Sequence, residues 1–183
     1  MQSQPIKIVV IGPESTGKSS LCQALAAHYN TCWCPEYARQ YLQEQGRDGH
    51  YEEKDLLCIA KGQIALEDSC FSRAKQNKDR FLFIDTDMYV MKVWSEFAYN
   101  RCPHWMLNQI ACRQYDYYLL CDIDLPWTPD PLREYPDPLM RQNLFNHYQD
   151  LLVHQATPFT LVQGKDTLRL HRSLTAIERK FGS

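Results

Sequence analysis

The sequence has no Cys-x-x-Cys pair, no excess of basic charge and no apolar run approaching the length of a membrane span. Each absence removes a class of protein. The eight cysteines are Cys22, Cys32, Cys34, Cys58, Cys70, Cys102, Cys112 and Cys121, and only Cys32 and Cys34 are close in sequence. The paired ligand spacings of a zinc site are missing. Most of these cysteines sit in apolar segments, as small buried hydrophobes that an intracellular chain keeps reduced. A formal net charge of -2, from 20 Lys and Arg against 22 Asp and Glu, speaks against a nucleic-acid or polyanion partner. The N-terminus lacks the apolar core and small-residue cleavage site of a signal peptide, and the apolar run at 6–11 is only strand length. The expectation is a soluble, cytoplasmic protein with no membrane partner. There is no internal repeat and no low-complexity linker. The chain of 183 residues therefore reads as a single domain, 1–183, long enough to bury a full core.

What is present alternates between strand and helix patterns. Apolar runs at 6–11, 31–34, 81–84, 117–121 and 159–162 read as strands. Between them, helical periodicity covers 18–29, 36–45, 52–76, 88–97, 106–114, 141–155 and 165–181. Gly46–Tyr51 and the proline-rich stretch Asp122–Pro138 read as loops. Strands separated by helices predict an α/β fold, a parallel sheet of about five strands with helices on both faces.

The first strand runs into Gly12-Pro13-Glu14-Ser15-Thr16-Gly17-Lys18-Ser19-Ser20. Gly-x-x-x-x-Gly-Lys-Ser between a strand and a helix is the P-loop pattern. Its glycines let the backbone wrap a phosphate with N–H groups pointing inward, and the helix adds its positive end. Residues 12–20 are thus candidates for holding the triphosphate of ATP, with Lys18 on the β- and γ-phosphates and Ser19 a ligand of Mg²⁺.

Other motifs separate the P-loop classes. A GTPase needs Asn-Lys-x-Asp after a late strand; Gln76-Asn77-Lys78-Asp79 has the wrong spacing and precedes the third strand. No Asp-x-x-Gly follows the apolar strand. An AAA-type ATPase needs more chain for its helical subdomain. A small-molecule kinase needs a metal-side acid, an acceptor site and a basic lid, and each has candidates. Phe81-Leu82-Phe83-Ile84-Asp85 is an apolar strand ending in a carboxylate, so Asp85 would serve Mg²⁺ or proton transfer. Asp87 either binds the acceptor or caps the helix that follows. After the second strand, Glu36 would hold or deprotonate an acceptor hydroxyl. Tyr37 would stack on a ring, and Arg39 would pair with Glu36 or a phosphate. The segment 126–141 is the candidate lid, with Trp127 beside the acceptor and Arg133 stabilising charge on the transferring phosphoryl group. The sequence does not choose between Glu36 and Asp85 as the base. A rival reading is a nucleotide-binding switch that docks a partner, with Tyr89, Trp94, Tyr99, Trp105, Tyr117 and Tyr118 as surface-capable aromatics.

In this order, GPESTGKSS, PEYAR, FIDTD and CDIDLPWTPDPLR resemble the kinase domain of NadR-type proteins, the ribosylnicotinamide kinases of NAD salvage. The resemblance runs from the first strand into the helix after the lid. It implies a P-loop nucleoside-kinase fold and transfer of the ATP γ-phosphate to the 5′-hydroxyl of nicotinamide riboside. Another nucleoside-like acceptor is the alternative. Full-length NadR proteins also carry a nucleotidylyltransferase domain and often a DNA-binding domain, and those activities are not carried over. In the family a tryptophan precedes the Glu-Tyr-Gly-Arg block and helps stack the nicotinamide ring. Here Pro35 takes its place, and Trp33, two residues earlier, shares its face by strand alternation. The family's lid glycine is replaced by Pro131.

Overall fold

A computed structural model describes residues 4–46, 50–130 and 133–182. Residues 47–49 of the expected loop at 46–51, and Pro131 and Leu132 of the expected lid, thus lie outside the described residues.

Five strands form one parallel sheet of order β2-β3-β1-β4-β5. They are β1 (Ile6–Ile11), β2 (Trp33–Cys34), β3 (Phe81–Asp85), β4 (Tyr117–Cys121) and β5 (Phe159–Val162). The helices are α1 (Lys18–Tyr29), α2 (Tyr37–Glu44), α3 (Glu53–Asn77), α4 (Met88–Tyr99), α5 (His104–Cys112), α6 (Pro138–Val153) and α7 (Asp166–Phe181).

Alternation along the strands divides the core. Ile8, Val10, Phe81, Phe83, Tyr117 and Leu119 point to one face, where Leu21 and Leu25 of α1 and Ile177 of α7 cover them. Val9, Ile11, Leu82, Ile84, Tyr118 and Leu120 point to the other, under Ala74 of α3, Val93 of α4 and Leu144 and Tyr148 of α6. A smaller cluster joins Ala38 and Leu42 of α2 to Ile59 of α3, Met91 of α4 and Met106.

Element boundaries differ from expectation where side chains replace ladder bonds. The strand expected at 31–34 shrinks to Trp33–Cys34, paired with Phe83 and Ile84. Ahead of it, the Thr31 hydroxyl donates to the Phe81 carbonyl at 2.6 Å and the Cys32 N–H to Asp79 at 3.3 Å. The last helix before β5 starts three residues earlier than its periodicity suggests. Asp137 caps it by accepting from the Met140 N–H at 2.8 Å, and Pro138 occupies the first turn, where no N–H is missed. Among the described residues no helix is long and apolar enough to cross a membrane.

Parallel strands send all their following loops to one edge. The segments after β1, β2, β3 and β4 therefore converge, beside the strand where the order reverses.

Candidate active site

The loop after β1 is shaped by its two glycines. Gly12 has φ +143, and a Cβ there would stand 2.7 Å from the Cys121 carbonyl oxygen. Gly17, at φ +76, forms the N-cap of α1 and packs on Leu125. Thr16 is buried and closes the loop from within, its hydroxyl donating to the Pro13 carbonyl at 2.7 Å. The Lys18 ammonium donates to the same carbonyl at 2.9 Å. No acidic residue stands in the first turn of α1, so the positive end of the helix is uncompensated.

At the end of β3, Asp85 is fully buried and its Oδ2 accepts from the Ser19 hydroxyl at 2.5 Å. Its Oδ1 is buried with no hydrogen-bond partner among the described residues. Burial pushes this carboxyl above its usual range; Lys18, the Ser19 bond and Arg39 pull it back. A hydroxyl beside a carboxylate with a spare oxygen is a donor set that fits Mg²⁺. The next residue, Thr86, is buried at φ 78 with its hydroxyl unpaired, an outlying conformation for a β-branched side chain. Strain of this kind concentrates at functional sites.

Glu36 occupies the N-cap of α2, yet its side chain makes no capping bond. Burial and the charge of Asp85 raise its pKa, while Lys18 and Arg39 lower it. Glu36 and Asp85 thus form a mutually repelling carboxylate pair beside a lysine. Arg39 reaches across to Asp130, with bonds of 3.2 and 3.0 Å.

Two other candidates are engaged elsewhere. Tyr37 lies against α3, where a Cβ on Gly62 would meet its ring at 2.0 Å, and its N–H donates to Gln63 at 2.7 Å. Asp87 is buried and caps α4, accepting from the Tyr89 and Val90 N–H groups at 3.0 and 3.2 Å. It also accepts from the Tyr118 hydroxyl at 2.8 Å, and burial pushes its pKa up to about 6.

The segment after β4 folds over the P-loop. Glu14 is the point of attachment: its carboxylate accepts from Trp127 Nε1 at 3.2 Å and from the N–H groups of Glu134 and Tyr135 at 2.9 and 2.5 Å. Ser15 accepts from the Thr128 N–H at 2.9 Å and from Arg133 at 3.3 Å. The cleft beneath is lined by residues 12–20, Glu36, Arg39 and Arg133, and on its apolar side by Val93, Trp94, Phe97, Tyr135, Leu144 and Tyr148. Trp33 and Pro35 do share a face, but it borders a separate groove with Asn30 and Arg73. Ring-binding capacity in the P-loop cleft comes instead from α4, α6 and Tyr135.

Three features have no signal in the sequence. One is the chain Trp94 Nε1–H to Tyr51 Oη at 2.7 Å, then Tyr51 O–H to Glu134 at 2.9 Å, which ties the apolar wall to the lid segment. Another is the grip of Glu14 on that segment, which depends on a chain reversal far away in sequence. The third is Arg169 of α7. Its guanidinium is buried, donates to the Thr16 and Gly164 carbonyls at 2.7 and 2.8 Å, and pairs with Asp124. On an amphipathic final helix, an arginine reads as solvent-facing.

A P-loop followed by a strand ending in a buried acid, on a parallel sheet of this order, defines a P-loop nucleotide-binding domain of nucleoside-kinase type. The sequence profile of a family described as an AAA domain matches residues 7–168, and the chain belongs to that family. The matched span takes in the P-loop, β1 to β5 and the helices between them. The chain is also similar to the trifunctional NAD biosynthesis/regulator protein NadR of Escherichia coli K12, 26% identical over 161 residues. The NadR of Salmonella typhimurium LT2 is 26% identical over 163 residues. The matched region is 87% of this chain and 38% of each relative, so the chain spans well under half of their length. Among solved structures, a NadR protein in complex with NR superposes with a TM-score of 0.78 at 20% identity, over 98% of this chain and 51% of that one. A thymidylate kinase from Ehrlichia chaffeensis gives 0.63 at 12% identity, over 97% and 100%. These superpositions establish the fold. The expected P-loop nucleoside-kinase architecture and resemblance to NadR are both found.

Proposed function

We propose that this protein is a Mg²⁺-dependent ATP kinase for the 5′-hydroxyl of a nucleoside-like acceptor, with nicotinamide riboside the leading candidate. The observation that carries this reading is the juxtaposition of the Lys18–Ser19–Asp85 cluster with Glu36, a carboxylate that makes no capping bond, at a cleft with an aromatic wall. The similarity to NadR proteins supports the choice of acceptor.

Lys18 holds the β- and γ-phosphates, exchanging the Pro13 carbonyl for a charged oxygen. Arg133, already at the P-loop through Ser15, neutralises charge on the transferring group. Ser19 and Asp85 hold Mg²⁺, which when bound supplies positive charge to the phosphate oxygens. Glu36 or Asp85 takes the acceptor's hydroxyl proton; burial raises both above the ordinary carboxylate range, the direction a general base calls for. Trp94, Phe97 and Tyr135 give a flat base an apolar surface, and the covering segment excludes water that competes for the phosphoryl group. A cytoplasmic setting goes with this reading, since ATP is found there and all the described cysteines are free.

The test is ADP release with Mg-ATP and a panel led by nicotinamide riboside, including common ribo- and deoxyribonucleosides and a no-acceptor control. Release dependent on nicotinamide riboside is expected. Activity with another nucleoside alone would move the substrate. Tight ATP binding with no acceptor-dependent release would favour a nucleotide switch.

A further inference from the structure

Arg141, on α6, carries a charge that is largely buried, at 7% exposure. Its one side-chain hydrogen bond among the described residues is Nη2 to the Leu125 carbonyl, at 3.2 Å. It has no carboxylate partner among the described residues, and its buried Nε has no acceptor. The contrast with Arg169 is instructive, because that buried guanidinium has Asp124 and several carbonyls around it. A buried cation left uncompensated is costly, so its retention calls for a counter-charge that arrives from outside.

The position says where from. Arg141 precedes Leu144 and Tyr148 by three and seven residues, so it shares the helix face that lines the cleft. Leu125, its carbonyl partner, packs on Gly17 of the P-loop. Burial lowers the Arg141 pKa, Glu14 of the P-loop raises it and Arg133 of the lid segment lowers it, so both lie within electrostatic reach. Lys18, Arg133 and Arg141 also share one habit. Each rests on a main-chain carbonyl: Pro13 at 2.9 Å, Thr128 at 2.6 Å and Leu125 at 3.2 Å. A phosphate oxygen is a stronger acceptor than any of these.

We propose that Arg141 is a phosphate-binding residue whose guanidinium takes the phosphate chain of the bound nucleoside triphosphate together with Lys18 and Arg133. The proposal rests on the reading of the P-loop as a triphosphate site and is independent of the acceptor. The alternative role is a structural pin for the chain at Leu125.

Binding and stability separate the two. The full chain and its Arg141→Met and Arg141→Lys variants are compared for affinity to Mg-ATP and to AMP, by competition with a fluorescent ATP analogue, and for nucleotide-free Tm. Arg141→Met is expected to raise the Tm, to weaken ATP by about tenfold, and to change AMP by less than about twofold. Arg141→Lys is expected to retain part of the ATP affinity. A fall in Tm with ATP and AMP weakened alike would identify a structural pin and overturn the proposal. So would unchanged ATP affinity. Should Arg141→Met fail to fold, Arg141→Lys and Arg141→Gln decide through the ATP-to-AMP affinity ratio, an unchanged ratio being fatal. Wild-type protein that binds no ATP would overturn the triphosphate reading as a whole. A silent ADP-release assay beside a lowered ATP-to-AMP ratio would overturn the kinase and leave Arg141 in its role.

Discussion

Single residues in this site do work that their type alone makes possible. Gly12 combines a φ closed to L side chains with a main-chain oxygen 2.7 Å from any added Cβ. Gly12→Ala is therefore expected to cost about 1–3 kcal/mol in urea unfolding, since backbone strand and loop must shift together. The Lys18 ammonium makes only one hydrogen bond among the described residues, to a carbonyl. Lys18→Ala is expected to leave the unfolding midpoint almost unchanged and lower kcat by at least about 10²-fold; a variant with normal kcat would end the mechanism. Asp87 illustrates how a motif residue divides between two readings. Its place two residues after Asp85 is equally good for an acceptor ligand and for a helix cap. The structure shows the cap, with Tyr118 added, because β4 lies close enough to supply the hydroxyl.

At the scale of elements, the P-loop and the segment after β4 behave as a clamp. Glu14 holds Trp127, Glu134 and Tyr135, and Tyr51 holds Glu134 from the other side while accepting from Trp94. Tyr51→Phe removes only the hydroxyl and keeps the ring against Trp94. It is expected to increase acceptor-independent ADP release several-fold relative to phosphoryl transfer, because the cover over the cleft opens more often to water. Glu14→Ala should do the same more strongly, and a double-mutant cycle should show the two effects to be less than additive. Additive effects would mean that the two contacts act on different parts of the segment. Helix α6 follows the covering segment; Pro138 and the Asp137 cap set the start of the helix, whose Leu144 and Tyr148 line the cleft.

For the whole molecule, buried acids link stability to pH. Asp87 has its pKa pushed up to about 6 by burial, from an ordinary 3.8. The folded protein thus keeps a proton that the unfolded chain has released. Stability from this group is fully present below the unfolded pKa and is lost as pH rises through the folded one. The shift of about 2 units corresponds to about 3 kcal/mol. Asp87→Asn is expected to flatten the stability profile between about pH 4 and 6, read from urea midpoints across that window. Glu36 and Asp85 shift the same way, so the acid limb of kcat/KM is expected above the ordinary carboxylate range. A limb at or below an unperturbed carboxylate would show that neither serves as the base.

The sequence by itself determined the order of strands and helices, the P-loop and the acid at the end of β3. All of these are local patterns: periodicity, a loop bracketed by glycines, an apolar run closed by Asp85. It also carried the resemblance to NadR. The tertiary structure decided what faces what. β2 is short because the Thr31 hydroxyl goes to the Phe81 carbonyl and the Cys32 N–H to the Asp79 side chain rather than to the ladder. Tyr37 leaves the cleft because Gly62 opens a seat for its ring on α3. The aromatic wall comes from α4, α6 and Tyr135 rather than from Trp33, which lies beside another groove. Glu14, Tyr51, Arg141 and Arg169 acquire their roles only when distant segments meet. Their partners lie across loop closures and helix packings, and no one-dimensional pattern encodes a contact whose cost and benefit are settled in three dimensions.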